Sequence, residues 1–202
     1  GRFQPVHAGH VALLREARWL LFGAFGLYLA LVLWGFHKSD PGWSHAVHTD
    51  RVLNPGGRFG AWFADLLLAL FGISAWWWVA LLVWGIVAGL RRWRQELEGS
   101  RRSAFLILTG FAVLLLGSCA LESLRFYGHT IPLPGDAGGA IGFELGSAVM
   151  RNLGFTGGTL LLLALLAGGA SLFFGFSWIN VFERLGYGLE VVWLRSTTHF
   201  SA

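Results

Sequence analysis

Asp65 is the residue whose position in the sequence is most suggestive of chemistry, because it is the one charge between Phe59 and Leu90. An ionisable side chain inside an apolar segment is a candidate for a proton relay, and a relay would make the chain a small proton-coupled carrier. A relay needs further titratable partners, and the other long apolar runs contain no charged residue. We therefore expect a structural role for Asp65, either exposed to water or hydrogen-bonded to the amides of the glycine-rich turn at residues 54–60.

The segment from residue 37 to residue 50 contains several potential metal ligands. His45 and His48 stand three positions apart, and His37, Asp40 and Asp50 are nearby in the sequence. A zinc site needs three or four ligands in fixed positions, and a loop with glycine and proline does not fix a third ligand relative to the two imidazoles. The sequence therefore predicts a solvated loop and no metal.

The first ten residues, GRFQPVHAGH, resemble the phosphate-binding stretch of nicotinamide-nucleotide adenylyltransferases. In those enzymes the pattern found here from His7 to His10 stabilises the transferring phosphates, so an adenylyltransferase-like motif fused to a membrane anchor is an alternative function. The mechanism needs a strand before the loop and a parallel sheet around it. Here the following residues enter a membrane span, so we expect a cytoplasmic tail. The sequence also has no Gly-Lys pair, and therefore no P-loop nucleotide site.

The composition indicates which elements position these residues. The 202 residues are 55% hydrophobic and 13% charged, with a mean hydropathy of +0.60, whereas soluble domains are about 25% charged. The net charge of +4 comes almost wholly from arginines at the ends of apolar runs, which favours membrane topology over nucleic-acid binding. The single cysteine, Cys119, lies in an apolar run and is expected to be a small buried residue. The composition predicts an all-α membrane protein.

Four apolar runs predict four transmembrane helices, since about 20 apolar residues cross the hydrocarbon core. Two runs, residues 59–90 and 152–182, are too long for one crossing, and Gly72 and Gly154 are expected to break them. We predict a short re-entrant or amphipathic helix before the second span and another before the fourth. The predicted spans are residues 18–36, 73–90, 103–121 and 158–181.

The arginines predict how these spans are oriented. Five of them lie between Arg91 and Arg102, which places this loop in the cytoplasm. Four spans then put both termini in the cytoplasm and the two short helices on the outer side. The predicted organisation is a cytoplasmic tail of residues 1–17, a membrane domain of residues 18–182 and a cytoplasmic segment of residues 183–202.

An internal repeat is visible at an offset of 82 positions. The segment 54–60, NPGGRFG, corresponds to 136–142, DAGGAIG, and Gly72 corresponds to Gly154. Asp65 aligns with the neutral Ser147. Each copy consists of a glycine-rich turn, a short helix, a second glycine and a span, so the sequence predicts a parallel repeat of two hairpins.

Two patterns of large apolar residues predict contacts at the outer side. Between Phe59 and Leu70 they follow helical spacing, so we expect this face of the first short helix to pack against the second short helix or the spans. The triplet Trp76-Trp77-Trp78 is expected to form part of an aromatic belt at the membrane interface.

The segment 54–72, NPGGRFGAWFADLLLALFG, resembles the N-terminal membrane domain of the FtsK/SpoIIIE family, whose pattern is N-x-x-G-x-x-G-A-x-x-A-D-x-L-L-x-x-F-G. The resemblance extends over roughly residues 14–186, with the Trp triplet standing where the family usually has a proline before the second span. The residues that the resemblance and the repeat mark as a structural motif are Asn54, Gly57, Gly60, Asp65, Phe71, Gly72, Gly138, Gly139, Gly142 and Gly154.

The resemblance implies a multi-pass protein of the bacterial inner membrane at the division septum. It implies a membrane domain that helps to assemble the division machinery and associates with other division proteins and with copies of itself, as a hexamer. DNA, ATP and magnesium would be bound by a cytoplasmic translocase motor that lies beyond this segment, with residues 183–202 starting the linker to it. The expectation for these 202 residues is an anchor with no catalytic residue, cofactor or metal.

Overall fold

The computed structural model describes residues 6–47, 49, 51–94, 103–126 and 133–199. These ranges contain helices and no strand, which confirms the all-α class. The helices are α1 (Val6–Trp34), α2 (Gly57–Phe71), α3 (Trp76–Arg94), α4 (Ala104–Arg125), α5 (Gly139–Phe174) and α6 (Trp178–His199). A short 3-10 helix, Gly72–Ala75, joins α2 to α3.

The first half of the fold is built from α1, α2 and α3. Helices α1 and α3 are antiparallel, because the rings of Trp34 and Trp76 meet edge to face at one end, with centroids 6.4 Å apart. At the other end a β-carbon at Gly89 would overlap the ring of Trp19. The buried core of this half consists of Leu29, Val32, Leu33, Ala64, Leu67, Leu68 and Ala75.

The second half pairs α4 with α5 at very short range. A β-carbon at Gly110 would lie 2.6 Å from the backbone nitrogen of Phe173, and one at Gly169 would lie 2.7 Å from that of Leu114. Small residues let two membrane helices approach to backbone contact, which is the usual way such helices gain van der Waals energy without a hydrophobic driving force. The two glycines therefore determine how closely α4 and α5 pack.

Helix α3 connects the two halves through Trp78. The ring of Trp78 packs against Phe71 at 5.7 Å and against Phe111 of α4 at 5.2 Å, both edge to face. Trp78 contacts both buried cores and so packs between helices, and the aromatic belt of the three tryptophans stays a prediction. Trp76 is 37% exposed and fits the expected belt position.

Length and composition identify three stretches able to cross a membrane, namely Gly57–Gly89, Ala104–Arg125 and Gly139–Phe174. A shorter apolar helix, Trp19–Trp34, lies within α1. Large apolar side chains cover the outside of the fold, with exposures such as 75% for Leu20, 74% for Phe105 and 64% for Leu160. A surface of this kind suits a lipid environment, and a count of four crossings stays a prediction.

The two short helices end at glycines in the way the sequence predicts. Gly72 has φ 58° and ψ −138°, and Gly154 has φ 65° and ψ 179°, so the helix is interrupted at both. The turns that begin the two short helices are also equivalent, with φ 65° at Gly57 and 66° at Gly139. Four left-handed glycines at the predicted offset confirm the breaks and support a duplicated hairpin. The outer location of these helices stays a prediction.

The face that the first short helix buries agrees with the expectation only in part, since Leu67 is buried and Phe63 packs against the core. Phe59 is 66% and Trp62 40% exposed, whereas the buried positions of α2 include Gly60, Ala61 and Ala64. In the second copy Phe143 is likewise 46% exposed. Lipid is as apolar as a protein core, so large side chains gain little from leaving it, and the small-residue face can approach its neighbours more closely.

The C-terminal boundary also differs from the expectation. Helix α5 ends at Phe174, before the predicted end of the fourth span at Val181, and Gly175 caps it in the left-handed conformation with φ 79°. A separate helix, α6, then runs through most of the segment 183–202 that the sequence assigned to a linker. The left-handed conformation at Gly175 ends the helix. A glycine stands there because L-residues rarely adopt that conformation.

Sidedness can be tested with single cysteines in a Cys119→Ala background. A membrane-impermeant maleimide added to spheroplasts should label Ser39→Cys, in the loop that follows α1, and should label Ser100→Cys only after lysis. Ser100 lies outside the described residues and within the arginine-rich loop. Equal labelling of both positions in intact spheroplasts would refute the four-span orientation.

Candidate functional site

Asp65 of α2 is buried, with 1% of its side chain exposed. Its carboxylate accepts a hydrogen bond from the backbone N–H of Ser44 at 2.6 Å and one from the Ser44 hydroxyl at 3.0 Å. Nδ1 of His45 lies 3.6 Å from its Oδ1 atom. A buried carboxylate is costly without such partners. Asp65 therefore fixes the loop that follows α1 onto α2.

The loop can reach Asp65 because of a glycine. A β-carbon at Gly42 would lie 2.5 Å from Cγ of Asp65, so a larger residue would push the two apart. His45 adds a second link, since its Nε2 lies 2.9 Å from the carbonyl oxygen of Lys38. We call Gly42, Ser44, His45 and Asp65 the loop anchor. The sequence predicted a structural Asp65 but placed it in water or against glycine-turn amides, and both placements are wrong.

Asp40 and Asn54 fix the far end of the same loop, and both are buried. The Asp40 carboxylate accepts hydrogen bonds from the backbone N–H groups of Leu53 and Asn54, both at 2.8 Å. The Asn54 amide donates to the carbonyl oxygens of Val32 at 2.9 Å and Gly35 at 3.0 Å. These carbonyls lie at the end of α1, where helices leave acceptors unsatisfied. Asn54 therefore caps the C-terminal end of α1 and also stands in the turn that leads into α2.

The second copy reproduces this turn with changed side chains. The backbone N–H of Gly57 donates to the carbonyl oxygen of Asn54 at 2.9 Å, and that of Gly139 donates to the carbonyl oxygen of Asp136 at the same distance. Asp136, which replaces Asn54, accepts a hydrogen bond from the hydroxyl of Ser123 on α4. Each turn is thus fixed to the end of the long helix that precedes it in the chain.

The small residues of each short helix lie against that same long helix. A β-carbon at Gly60 would lie 2.8 Å from Val32 of α1, and one at Gly142 would overlap the carbonyl oxygen of Cys119 on α4. Cys119 is fully buried, as predicted, and its Sγ donates to the carbonyl oxygen of Phe71 at 3.5 Å. Gly60 and Gly142 are therefore positions of close helix contact.

The two copies meet at one seam. The backbone N–H of Ile73, just after the break at Gly72, donates to the carbonyl oxygen of Ala137 at 2.8 Å. A β-carbon at Gly72 would overlap that same carbonyl, and one at Gly139 would overlap the backbone of Leu70. The end of the first short helix and the start of the second are therefore in direct backbone contact.

A polar cluster supports the seam, and sequence reasoning missed it. Glu122 of α4 accepts hydrogen bonds from the backbone N–H of Ser74 at 3.0 Å and from its hydroxyl at 2.8 Å. The Ser74 hydroxyl also lies 2.7 Å from that of Ser118, one helical turn before Glu122. Glu122 directly follows the predicted end of the third span, so the sequence assigned it to a loop. The signal available was the four-residue spacing of Ser118 and Glu122, which puts both on one helix face.

The sequence of residues 11–186 matches the family model described as the 4TM region of DNA translocase FtsK/SpoIIIE. The chain belongs to this family. The match includes both short helices, the seam and the loop anchor. The FtsK/SpoIIIE resemblance seen in the sequence is thus confirmed. The chain corresponds to the membrane domain of this family of cell-division DNA translocases.

Named relatives agree. DNA translocase FtsK 2 of Ralstonia nicotianae is 43% identical over 190 residues, which make up 90% of this chain and 24% of the relative. DNA translocase FtsK of Pseudomonas syringae pv. syringae is 34% identical over 86% of this chain and 22% of the relative. DNA translocase FtsK 1 of Neisseria meningitidis serogroup B is 33% identical over 93% and 23%. The chain therefore spans about a quarter of the length of these relatives, and no solved structure matches it.

Most of the predicted FtsK motif residues come together in the structure. Asn54, Gly57 and Gly60 form the first turn, Asp65 forms the loop anchor, and Phe71 and Gly72 reach the seam. Gly138, Gly139 and Gly142 form the second turn against α4 and the seam. Gly154 stands apart, because a β-carbon there would meet nothing within 4 Å.

The remaining candidates for chemistry are not assembled into a site. His7 and His10 lie inside α1 and not between a strand and a helix, which removes the context that the adenylyltransferase-like stretch needs, while residues 1–5 lie outside the described residues. His48 and Asp50 also lie outside them, and His45 is committed to the loop anchor. In the described part of the chain, no three His, Cys, Asp or Glu side chains are grouped to bind a metal.

Proposed function

We propose that this chain is the membrane anchor and division-assembly domain of a septal DNA translocase that couples cell division to chromosome segregation. The family match over residues 11–186 supports the anchor role, since this region of the family is a membrane domain. In the proposal both termini are cytoplasmic, and the protein lies in the bacterial inner membrane at the septum. The motor, with its DNA, lies outside this segment.

One observation supports an assembly role in particular, namely the surface of the anchored loop. Asp40, Asn54 and Asp65 fix this loop at several points, yet it exposes Trp43 by 53% and Leu53 by 52%. Tryptophan is enriched among the residues that dominate the binding energy of protein interfaces, so Trp43 on this anchored loop is a candidate contact residue. We infer that the loop binds another membrane protein of the division machinery.

The chain's own residues give no support to a carrier, or to an adenylyltransferase-like function whose His7 and His10 lie inside α1. Both Asp65 oxygens are occupied by Ser44, so Asp65 serves the loop and not a carrier pathway. ATP and magnesium do not fit these residues either, since the sequence has neither a P-loop nor any Gly-Lys pair. In the proposal, nucleotide and DNA are bound by the motor, and copies of this domain associate with one another around a hexameric motor.

A fluorescent fusion of residues 1–202 tests the proposal in the bacterium that expresses the chain. The parent fusion should form a band at the division site, and Trp43→Ala combined with Leu53→Ala should spread evenly through the membrane at equal abundance. A matched control is Leu27→Ala with Leu31→Ala, which trims two exposed side chains of α1 and should leave the band intact. An even distribution of the parent would refute septal assembly, and a band in the loop variant would refute the loop as its binding surface.

A further inference from the structure

Helix α6, Trp178–His199, has one continuous apolar face. At 100° per residue, Trp178, Phe182, Leu185 and Leu189 fall within an arc of about 60°. Phe182 is 66%, Leu185 58% and Leu189 71% exposed. The polar residues Asn180 and Arg184 project on the opposite side of the helix. α6 thus has a lengthwise apolar stripe, which we define as Trp178, Phe182, Leu185 and Leu189.

The start of α6 is fixed close to the end of α5. The indole N–H of Trp178 donates to the carbonyl oxygen of Ala167 at 3.0 Å, and the Ser171 hydroxyl donates to that of Phe176 at 2.7 Å. In one straight helix residues 167 and 178 would be about 16 Å apart. The chain therefore leaves the axis of α5 at the left-handed Gly175, and the indole of Trp178 reaches back to a residue about 10 Å inside the end of α5.

This placement brings the start of the apolar stripe to the end of α5. Ala167 belongs to a helix that is apolar and long enough to cross a membrane, so the indole of Trp178 lies at the depth of the last turns of that helix. The exposed ring of Phe174 packs against Phe176, and Phe176 packs against Trp178, with centroids 6.3 and 5.0 Å apart. The lipid-facing surface of α5 therefore continues into the stripe without a gap.

We propose that α6 lies in the plane of the membrane, with its apolar stripe inserted at the boundary between headgroups and acyl chains. The side is that at which α3 also ends, because α3 and α5 run in the same direction against α1 and α4. Tryptophan at Trp178 suits this depth, since its ring is apolar and its N–H is polar. The segment that follows the last span is then a membrane-surface helix and not a solvated linker.

The charge of α6 indicates which lipid property drives this binding. Within the helix two acidic residues, Glu183 and Glu190, balance two arginines, Arg184 and Arg195. Interfacial helices that depend on anionic lipid have a basic polar face, and α6 has a balanced one. Burial of the apolar stripe is therefore the driving term, and insertion should be insensitive to the fraction of anionic lipid.

Spin labels on single cysteines test the proposal with residues 1–202 in nanodiscs and a Cys119→Ala background. Labels at Phe182, Leu185 and Leu189 should be accessible to oxygen and shielded from a water-soluble nickel chelate. Labels at Asn180 and Arg184 should show the reverse. Leu160→Cys, on the exposed side of α5, is the lipid reference, and Ser39→Cys is the aqueous reference.

The lipid composition separates the driving terms. Nanodiscs of phosphatidylcholine alone and nanodiscs with added phosphatidylglycerol should give the same accessibility at Leu185, within twofold. Equal nickel accessibility around the whole helix would overturn the proposal in favour of a solvated helix. Immobilised labels at the stripe, shielded from both reagents, would overturn it in favour of a protein partner or a second copy. Insertion only with phosphatidylglycerol would overturn the assignment of the apolar stripe as the driving term.

Discussion

Replacing Gly72 with alanine should prevent the two halves of this domain from docking, and this is the largest effect that we expect from a single methyl group. The residue has φ 58°, which L-residues rarely adopt, and a β-carbon there would overlap the carbonyl oxygen of Ala137. Backbone strain of this kind costs about 1–3 kcal/mol by itself. The overlap adds to this cost because it separates the N–H of Ile73 from the carbonyl oxygen of Ala137, to which it is hydrogen-bonded. We expect aggregation, or a large fall in the thermal midpoint, of the detergent-solubilised chain.

Two further glycines separate these contributions. Gly154→Ala has the same backbone strain, with φ 65°, but its β-carbon would meet nothing within 4 Å, so it should lose about 1–3 kcal/mol. Gly168→Ala lies inside α5 with open space around it and should be neutral or more stable by up to about 1 kcal/mol. Comparable losses for Gly72→Ala and Gly154→Ala would show that the seam contributes nothing beyond strain.

Replacing Asp65 with alanine should release the loop that follows α1. The change leaves the N–H and the hydroxyl of Ser44 without their acceptor and removes the partner of His45. Losing hydrogen bonds to a charged group such as the Asp65 carboxylate costs about 1.5–3 kcal/mol. We expect a destabilisation of this size and faster proteolytic cleavage within residues 37–53, measured by limited digestion of the detergent-solubilised chain.

Two acidic positions provide the controls for Asp65. Asp65→Asn keeps one oxygen that can accept the Ser44 N–H, so it should lose less stability than Asp65→Ala. Glu144→Ala removes an exposed acid from the second copy and should leave stability within about 0.5 kcal/mol of the parent. A loss of proton flux in liposomes for a well-folded Asp65→Asn variant would contradict the structural assignment and revive the carrier function.

The breaks in the two long apolar runs were predictable because the length of a run and the position of its glycines can be read from the local sequence. A run from Phe59 to Leu90 is too long for one crossing, and Gly72 is the glycine within it that leaves a full span after it and is cheap to place at φ 58°. The offset of 82 residues transfers the same argument to Gly154. A structural Asp65 was also predictable, since the apolar runs offer no second charge for a relay.

The buried faces and the polar partners were not predictable, because they depend on which helices become neighbours. Hydrophobic spacing marks Phe59 and Trp62 as a core face in water, but in lipid it does not tell a core face from a lipid-facing one. Ser44 and Glu122 stand 21 and 48 positions from the Asp65 and Ser74 groups they bind. Nothing in the local sequence specifies such pairs.

The seam between the two copies also has a consequence for the order of events during synthesis. The loop anchor and the Asn54 cap use residues of the first half alone and are complete once α2 has been made. The N–H of Ile73 finds its acceptor at Ala137, which the ribosome adds 64 residues later, roughly 3–13 s at about 5–20 residues per second. The first hairpin thus has all the residues needed to fix its loop before the second hairpin is made, while the N–H of Ile73 has to wait for Ala137.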